Sequence, residues 1–78
     1  MMKIELHKSV RKFILRLQLK EQKRIINAIY KLPDGDVKPL SGRRGEYRLR
    51  IGDWRVIFKY RGNNIFVMEI DSRGDIYK

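Results

Sequence analysis

The sequence predicts an α+β domain: an N-terminal strand, an antiparallel helical hairpin, then a three-stranded antiparallel meander (β-α-α-β-β-β), with the helices packed on one sheet face. Two patterns lead there. Apolar residues recur at helical spacing between residues 10 and 32, and they alternate with polar residues between 45 and 60. Turn-forming clusters rich in Gly, Asp and Asn separate the segments. The 78 residues are read as a single domain, 1–78. A chain this short buries only about 60% of its unfolded surface, so a partner can matter to its stability.

The elements follow in order. Met2–His7 (MKIELH) alternates and reads as a first strand. Ser9 is the expected N-cap of the first helix. Val10, Phe13, Ile14 and Leu17 then follow the i, i+3, i+4, i+7 spacing of a helix buried on one side. After Lys20-Glu21 a second period begins with Ile25, Ala28, Ile29 and Leu32, widened by Ile26 and Tyr30. Pro33-Asp34-Gly35-Asp36 ends it. Val37–Arg44 (VKPLSGRR) reads as a loop because of Pro39 and Gly42.

The segment GEYRLRIGDWRVIFKY (45–60) reads as a hairpin around a two-residue turn, Gly52-Asp53, of type II′ or I′. That register sets Ile51 against Trp54, Arg50 against Arg55, Leu49 against Val56 and Arg48 against Ile57. Tyr47, Leu49, Ile51, Trp54, Val56 and Phe58 then share the core face. Glu46, Arg48, Arg50, Arg55, Ile57 and Lys59 share the other. Arginines directly opposite one another destabilise a sheet by about 0.2–1 kcal/mol, which suggests an anionic ligand. Arg61–Asn64 is a second turn, and Ile65–Asp71 a further strand. A plain two-residue loop would turn Glu69 toward the core, and a bulged turn would avoid this. The tail SRGDIYK extends the sheet or lies along it.

Composition narrows the function classes. The chain has no cysteine, which removes disulfides, thiol nucleophiles and thiolate metal sites. No apolar stretch approaches the roughly 18 residues of a membrane span, and nothing resembles a signal peptide. A cytoplasmic protein without membrane attachment is expected. The formal charge of +10 favours a polyanionic partner: nucleic acid, an anionic membrane or an acidic protein.

No metal site and no cofactor are expected. Asp34 and Asp36 flank Gly35 and read as turn residues rather than ligands, and Glu69, Asp71 and Asp75 have no His or Cys beside them. The sole histidine, His7, reads as a surface or satisfied polar residue rather than a base. Gly42 and Gly45, around Arg43-Arg44, read as loop glycines and not as a phosphate-binding loop.

Arginine, lysine and tyrosine remain. Metal-free RNA cleavage needs an activated 2′-hydroxyl, charge stabilisation on the phosphorane and a proton for the leaving oxygen. Planar guanidinium groups suit phosphate oxygens. A tyrosine can take part in proton transfer where neighbouring cations lower its pKa from about 10. In an extended tail Arg73 and Tyr77 share parity and could face the arginine cluster; the alternative is an aromatic residue closing the sheet. Lys8, Arg11, Lys12, Arg16, Lys20, Lys23, Arg24 and Lys31 lie mostly off the apolar stripe, as a solvated face or as accessory contacts to a large RNA.

The series V-x-x-F-I-x-x-L (Val10–Leu17), VKPLSG, GEYRLRIGDWRVIF and DSRGDIY resembles RelE-type toxins of the RelE/ParE superfamily over nearly the whole chain. The hairpin motif Y-R-L-R-x-G-D-[WY]-R-V-I-[FY] is its most specific part, and the terminal R-x-x-x-Y is short. The resemblance implies a type II toxin–antitoxin toxin that cuts mRNA in the A site of the 70S ribosome. No metal is used: the 2′-hydroxyl attacks its own phosphate, leaving a 2′,3′-cyclic phosphate and a 5′-hydroxyl. It implies catalytic roles for Arg55 at the scissile phosphate, for Arg73, and for Tyr77 in proton transfer. Arg48 and Arg50 match the basic pair on the central strand, and Lys59 joins them as an RNA-binding residue.

Many close members carry His immediately before the tail arginine, where this chain has Ser72. Serine cannot act as a base near neutral pH, so Tyr77 takes that work, with Glu46 as a possible accessory. Two other readings stand beside the nuclease: a ParE-like inhibitor of DNA gyrase, and a catalytically degenerate ribosome- or RNA-binding relative. The resemblance also implies a cognate antitoxin that wraps the domain, covering apolar surface and displacing the tail or screening the arginines. Operator DNA is then read by the antitoxin.

Overall fold

The structure is a computed structural model and describes residues 3–72. The elements run β1 (Ile4–Leu6), α1 (Lys8–Leu15), α2 (Leu19–Ile29), β2 (Asp36–Pro39), β3 (Glu46–Ile51), β4 (Trp54–Arg61) and β5 (Asn64–Ser72). The strands form one sheet in the order β1-β5-β4-β3-β2. β2 to β5 are successive antiparallel neighbours, and β1 adds to the far edge parallel to β5 through Ile4↔Ile65 and Leu6↔Val67.

The α+β architecture expected from the sequence is therefore present, with one strand more than the meander predicted. Residues 36–39, in the sequence the end of a turn and the start of a loop, pair with β3 from Asp36↔Arg50 to Pro39↔Tyr47. Proline lacks a donor N–H but is tolerated on an edge strand, and β2 is an edge. Its short D-V-K-P alternation is the signal that proline obscures.

The helices begin earlier than their apolar periodicity suggests. His7, not Ser9, caps α1: its Nδ1 accepts from the Ser9 backbone N–H at 3.1 Å and lies 2.8 Å from the Ser9 hydroxyl. Ser9 lies inside the first turn. α2 starts at Leu19, ahead of the first residue of its apolar stripe, and Gln18 is its N-cap. Gln22 then reaches back from α2, its side-chain amide donating to the Leu17 carbonyl at 2.8 Å. That bond ties the first turn of α2 to the short connection after α1.

Both helices bury their apolar stripes on one sheet face. Val10, Ile14, Ile25 and Ile29 meet Leu49, Ile51, Val56, Phe58, Ile65 and Val67 in a single core. Tyr47 stacks on Phe58 at the sheet's far end, with ring centroids 5.6 Å apart.

The β4–β5 turn is the plain two-residue loop Gly62-Asn63, with Arg61 opposite Asn64. The bulge that rescues Glu69 lies within the strand instead. Phe58 pairs with Val67 and Ile57 with Glu69, so Met68 is the extra residue. One inserted residue reverses the faces beyond it. Ile70 thereby joins the core side opposite Val56, and Glu69 goes to the opposite face.

Candidate nucleic-acid interface

The hairpin register matches the sequence expectation at every pair from Arg48↔Ile57 to Ile51↔Trp54. Gly52 has φ 58°, and no residue other than glycine has positive φ among the described residues. Positive φ at the first turn position alone is type II′, not I′. Arg50 and Arg55 therefore stand opposite each other on the face away from the helices.

The neighbouring strands complete that row. Asp36 of β2 pairs with Arg50, and Asp71 of β5 pairs with Arg55. Across four strands the row reads acid, base, base, acid. One step along, Lys38 stands opposite Arg48. Arg48 is drawn sideways to Asp36, with Nη2 at 3.6 Å from Oδ1, and its side chain is only 15% exposed. Arg48, Arg50 and Arg55 line a common depression of about 310 Å³, with Lys38, Pro39, Leu40 and Trp54 as the other walls. Three of the arginines expected on one surface, Arg48, Arg50 and Arg55, thus border one depression, and the fourth, Arg73, lies outside the described residues. Lys38 is the cation that sequence reasoning misses, because proline and glycine give its segment the character of a loop.

Trp54 positions Arg55, the residue after it. Its indole N–H donates to Glu21 of α2 at 2.6 Å, and its ring packs edge-on against Phe13 of α1 at 5.7 Å. Both helices thus hold the tip of the hairpin from the core side. A charge-assisted bond of this kind contributes about 1.5–3 kcal/mol.

The other end of the face is built differently. Arg43, in the β2–β3 loop, lies 2.6 Å from Glu46 and donates to Glu69 at 2.8 Å. The hydrogen bond to Glu69 is the main cause that raises the Arg43 pKa above its ordinary value; some lost solvation opposes it, and the charges of Glu69 and Glu46 add to it. Ile57, opposite Glu69 and Arg48, is 5% exposed despite facing away from the helices. Lys59 pairs with Glu46 and Phe66 at this end. Glu46 is four residues from Arg50 along β3, about 13 Å at strand spacing. The structure does not bring Glu46 or Lys59 into the arginine depression; Glu46 is already engaged by Arg43.

Arg73 and Tyr77 lie outside the described residues. Ser72, the last one described, pairs with Trp54, next to the Arg55–Asp71 pair.

A family model for the ParE toxin of the type II toxin–antitoxin system parDE matches residues 4–77. The chain belongs to this toxin family. It is a type II toxin of the RelE/ParE superfamily, as the resemblance implied. Solved structures carry the same fold. The toxin is similar to one in a RelB–RelE antitoxin–toxin complex from Methanococcus jannaschii, with 22% identity, a TM-score of 0.77 and 94% of each chain covered. It is also similar to one in an archaeal RelE–RelB complex from Pyrococcus horikoshii OT3, with 27% identity, a TM-score of 0.72 and 94% of this chain and 96% of that chain covered. YafQ from E. coli strain BL21(DE3) matches at 18% identity and a TM-score of 0.62, with both chains fully covered (100% each). No curated protein sequence matches significantly.

Proposed function

We propose that this toxin is a metal-independent mRNA endonuclease that acts in the A site of the 70S ribosome. The observation that carries the reading is the convergence of Arg48, Arg50 and Arg55 with Lys38 on one open depression. Fixed guanidinium groups stabilise the charge that develops on a phosphorane when the neighbouring 2′-hydroxyl attacks. Arg55, anchored through Trp54, holds the scissile phosphate. Arg48 and Arg50 hold the flanking backbone. Arg73 assists at the phosphate and Tyr77 moves the proton, with Ser72 in the place where relatives carry histidine. Glu46 has no accessory role in this scheme, because Arg43 occupies it at the far end of the hairpin.

A cognate antitoxin, encoded beside this toxin, neutralises it; the solved RelE neighbours are complexes with RelB. The cytoplasm is the compartment this function requires.

The test is cleavage on translating ribosomes, with mRNA 5′ ends mapped by primer extension, beside Arg55→Ala and Tyr77→Phe. Codon-phased cuts by the parent, lost in both variants, are the expected result. The match to the ParE family model favours a second reading, inhibition of DNA gyrase. Inhibition of gyrase supercoiling without mRNA cuts would select it.

A further inference from the structure

The cationic surface does not stop at the arginine depression. A second hollow, also about 310 Å³, lies between α2, the α2–β2 turn and the end of β3. Arg24 and Asn27 of α2 and Lys31, just beyond its end, form one wall, and Arg50 of β3 also lines the hollow. Arg50 lines both hollows. The topology explains this double role: β2 begins at Asp36, opposite Arg50, so no outer strand covers Ile51 or the turn beyond it. An exposed arginine at that corner borders the sheet face on one side and α2 on the other.

Arg24 stands at this corner beside Glu21 and Gly52. Glu21 lies one helical turn back, 4.0 Å away. The guanidinium also lies over Gly52, where an added Cβ would meet its Cζ at 2.9 Å. Glycine is required at position 52 for its φ of 58°, and a Cβ there would also push aside the guanidinium at the end of the flexible Arg24 side chain.

We infer that the second hollow is a phosphate subsite for single-stranded RNA: a strand leaving the arginine face turns the corner at Arg50 and lays its next backbone phosphates against Arg24 and Lys31. This deepens the nuclease reading and rests on it. An RNA strand must enter and leave the first depression, and the shared Arg50 supplies a cationic route out. The floor of Ala28, Leu49 and Ile51 accepts a ribose or base. Asp34 and Asp36 are also on the rim. Asp36 is turned to Arg48 by their ion pair, which leaves Asp34 as the opposing charge. Of the many basic helical residues, Lys8, Lys12, Lys20 and Lys23 line neither hollow, and a solvated face accounts for them.

The test is the salt dependence of binding of a short 2′-O-methyl RNA, which cannot be cut, followed by fluorescence anisotropy. Every phosphate of a single strand that a cation ceases to neutralise lowers the slope of log K against log[salt] by about 0.7. Arg24→Gln/Lys31→Gln should lower it by about 1.4, and Lys31→Gln, away from Gly52, by about 0.7 alone. Lys8→Gln/Lys12→Gln, which removes as much charge from α1, should leave it unchanged. Asp34→Asn should tighten binding about twofold. An unchanged slope in Lys31→Gln, or an equal fall in the α1 control, overturns the subsite. If Arg48→Gln/Arg50→Gln also leaves the slope unaltered, the failure belongs to the nuclease reading itself. A Lys31→Gln variant that loses affinity for the purified antitoxin while its RNA slope stays unchanged makes the hollow a protein-docking site and overturns the proposal.

Discussion

Two ends of one sheet face use the same residue types in opposite ways. At the β2–β3 loop, Arg43 is held by two carboxylates, Glu46 and Glu69, from strands on either side of β4. At the hairpin tip, Arg50 and Arg55 face each other, and their acidic neighbours Asp36 and Asp71 lie at the outer ends of the row. At the first end the charges compensate one another locally, and Ile57, cross-strand from Glu69, is buried. At the second, neighbouring cations line a hollow wide enough for a phosphate. The two ends differ in the neighbours of each cation rather than in the cations themselves: two carboxylates close on Arg43, whereas Arg48, Arg50 and Arg55 share one depression.

Val56→Asp should abolish both ends of this contrast, because Val56 is fully buried between Leu49 and Ile70 beneath the face that carries them. Burial of a carboxylate there costs several kcal/mol. A small domain has only about 5–15 kcal/mol in total, so the variant should be largely unfolded by far-UV circular dichroism.

Removing the anchored phosphate ligand tests the other end. Arg55→Ala should keep the fold and reduce single-turnover mRNA cleavage about 10²–10³-fold, the usual effect of losing one fixed donor to a developing oxyanion. Cleavage within a few-fold of the parent would break the assignment of this end as the catalytic one.

Glu21→Leu sharpens the comparison by releasing the tip while leaving Arg48, Arg50 and Arg55 in place, although it also removes the carboxylate beside Arg24. It leaves the partly buried Trp54 N–H without its acceptor, at a cost of about 1–3 kcal/mol in urea unfolding. Glu21→Gln, which keeps an acceptor oxygen, should recover most of it.

Arg43→Gln should have the smallest effect: a slightly lower melting temperature that approaches the parent's in high salt, with cleavage unchanged. The pKa of Arg43 is raised on folding, so its contribution is present below the unfolded value and lost only as pH rises through the folded one. Both lie in strong base, so raising the pH from neutral to mildly alkaline should not remove this contribution.

Much of the arginine end is legible in the sequence because it is local. Gly52-Asp53 defines a two-residue turn, strict alternation assigns the faces, and Arg50 opposite Arg55 follows without knowledge of anything distant. The helices are legible from their apolar spacing, although their starts are not. His7 caps through a ring nitrogen, which the usual preference for serine hides, and α2 opens with an exposed leucine that no apolar stripe requires.

The Arg43 end is not legible, because it joins residues 26 apart in sequence and depends on an inserted residue between strands. The sequence does signal the conflict at Glu69. It places the remedy in the turn, whereas the structure places it at Met68, where the bulge lets Val67 and Ile70 both face the core. β2 is hidden for a related reason: a four-residue edge strand ending in proline has little signal of its own and gains its hydrogen bonds only from β3.

The amino-acid sequence alone determined the α+β class, the hairpin register, the cationic face and the membership of the RelE/ParE superfamily, because each rests on spacing within a short stretch of chain. Tertiary structure alone decided that Lys38 joins the arginines, that Glu46 is committed to Arg43, and that Arg50 borders a second hollow beside α2. Those arrangements bring together side chains from different elements. Their distances are set by how the helices seat on the sheet and by one bulge, and no local pattern encodes either.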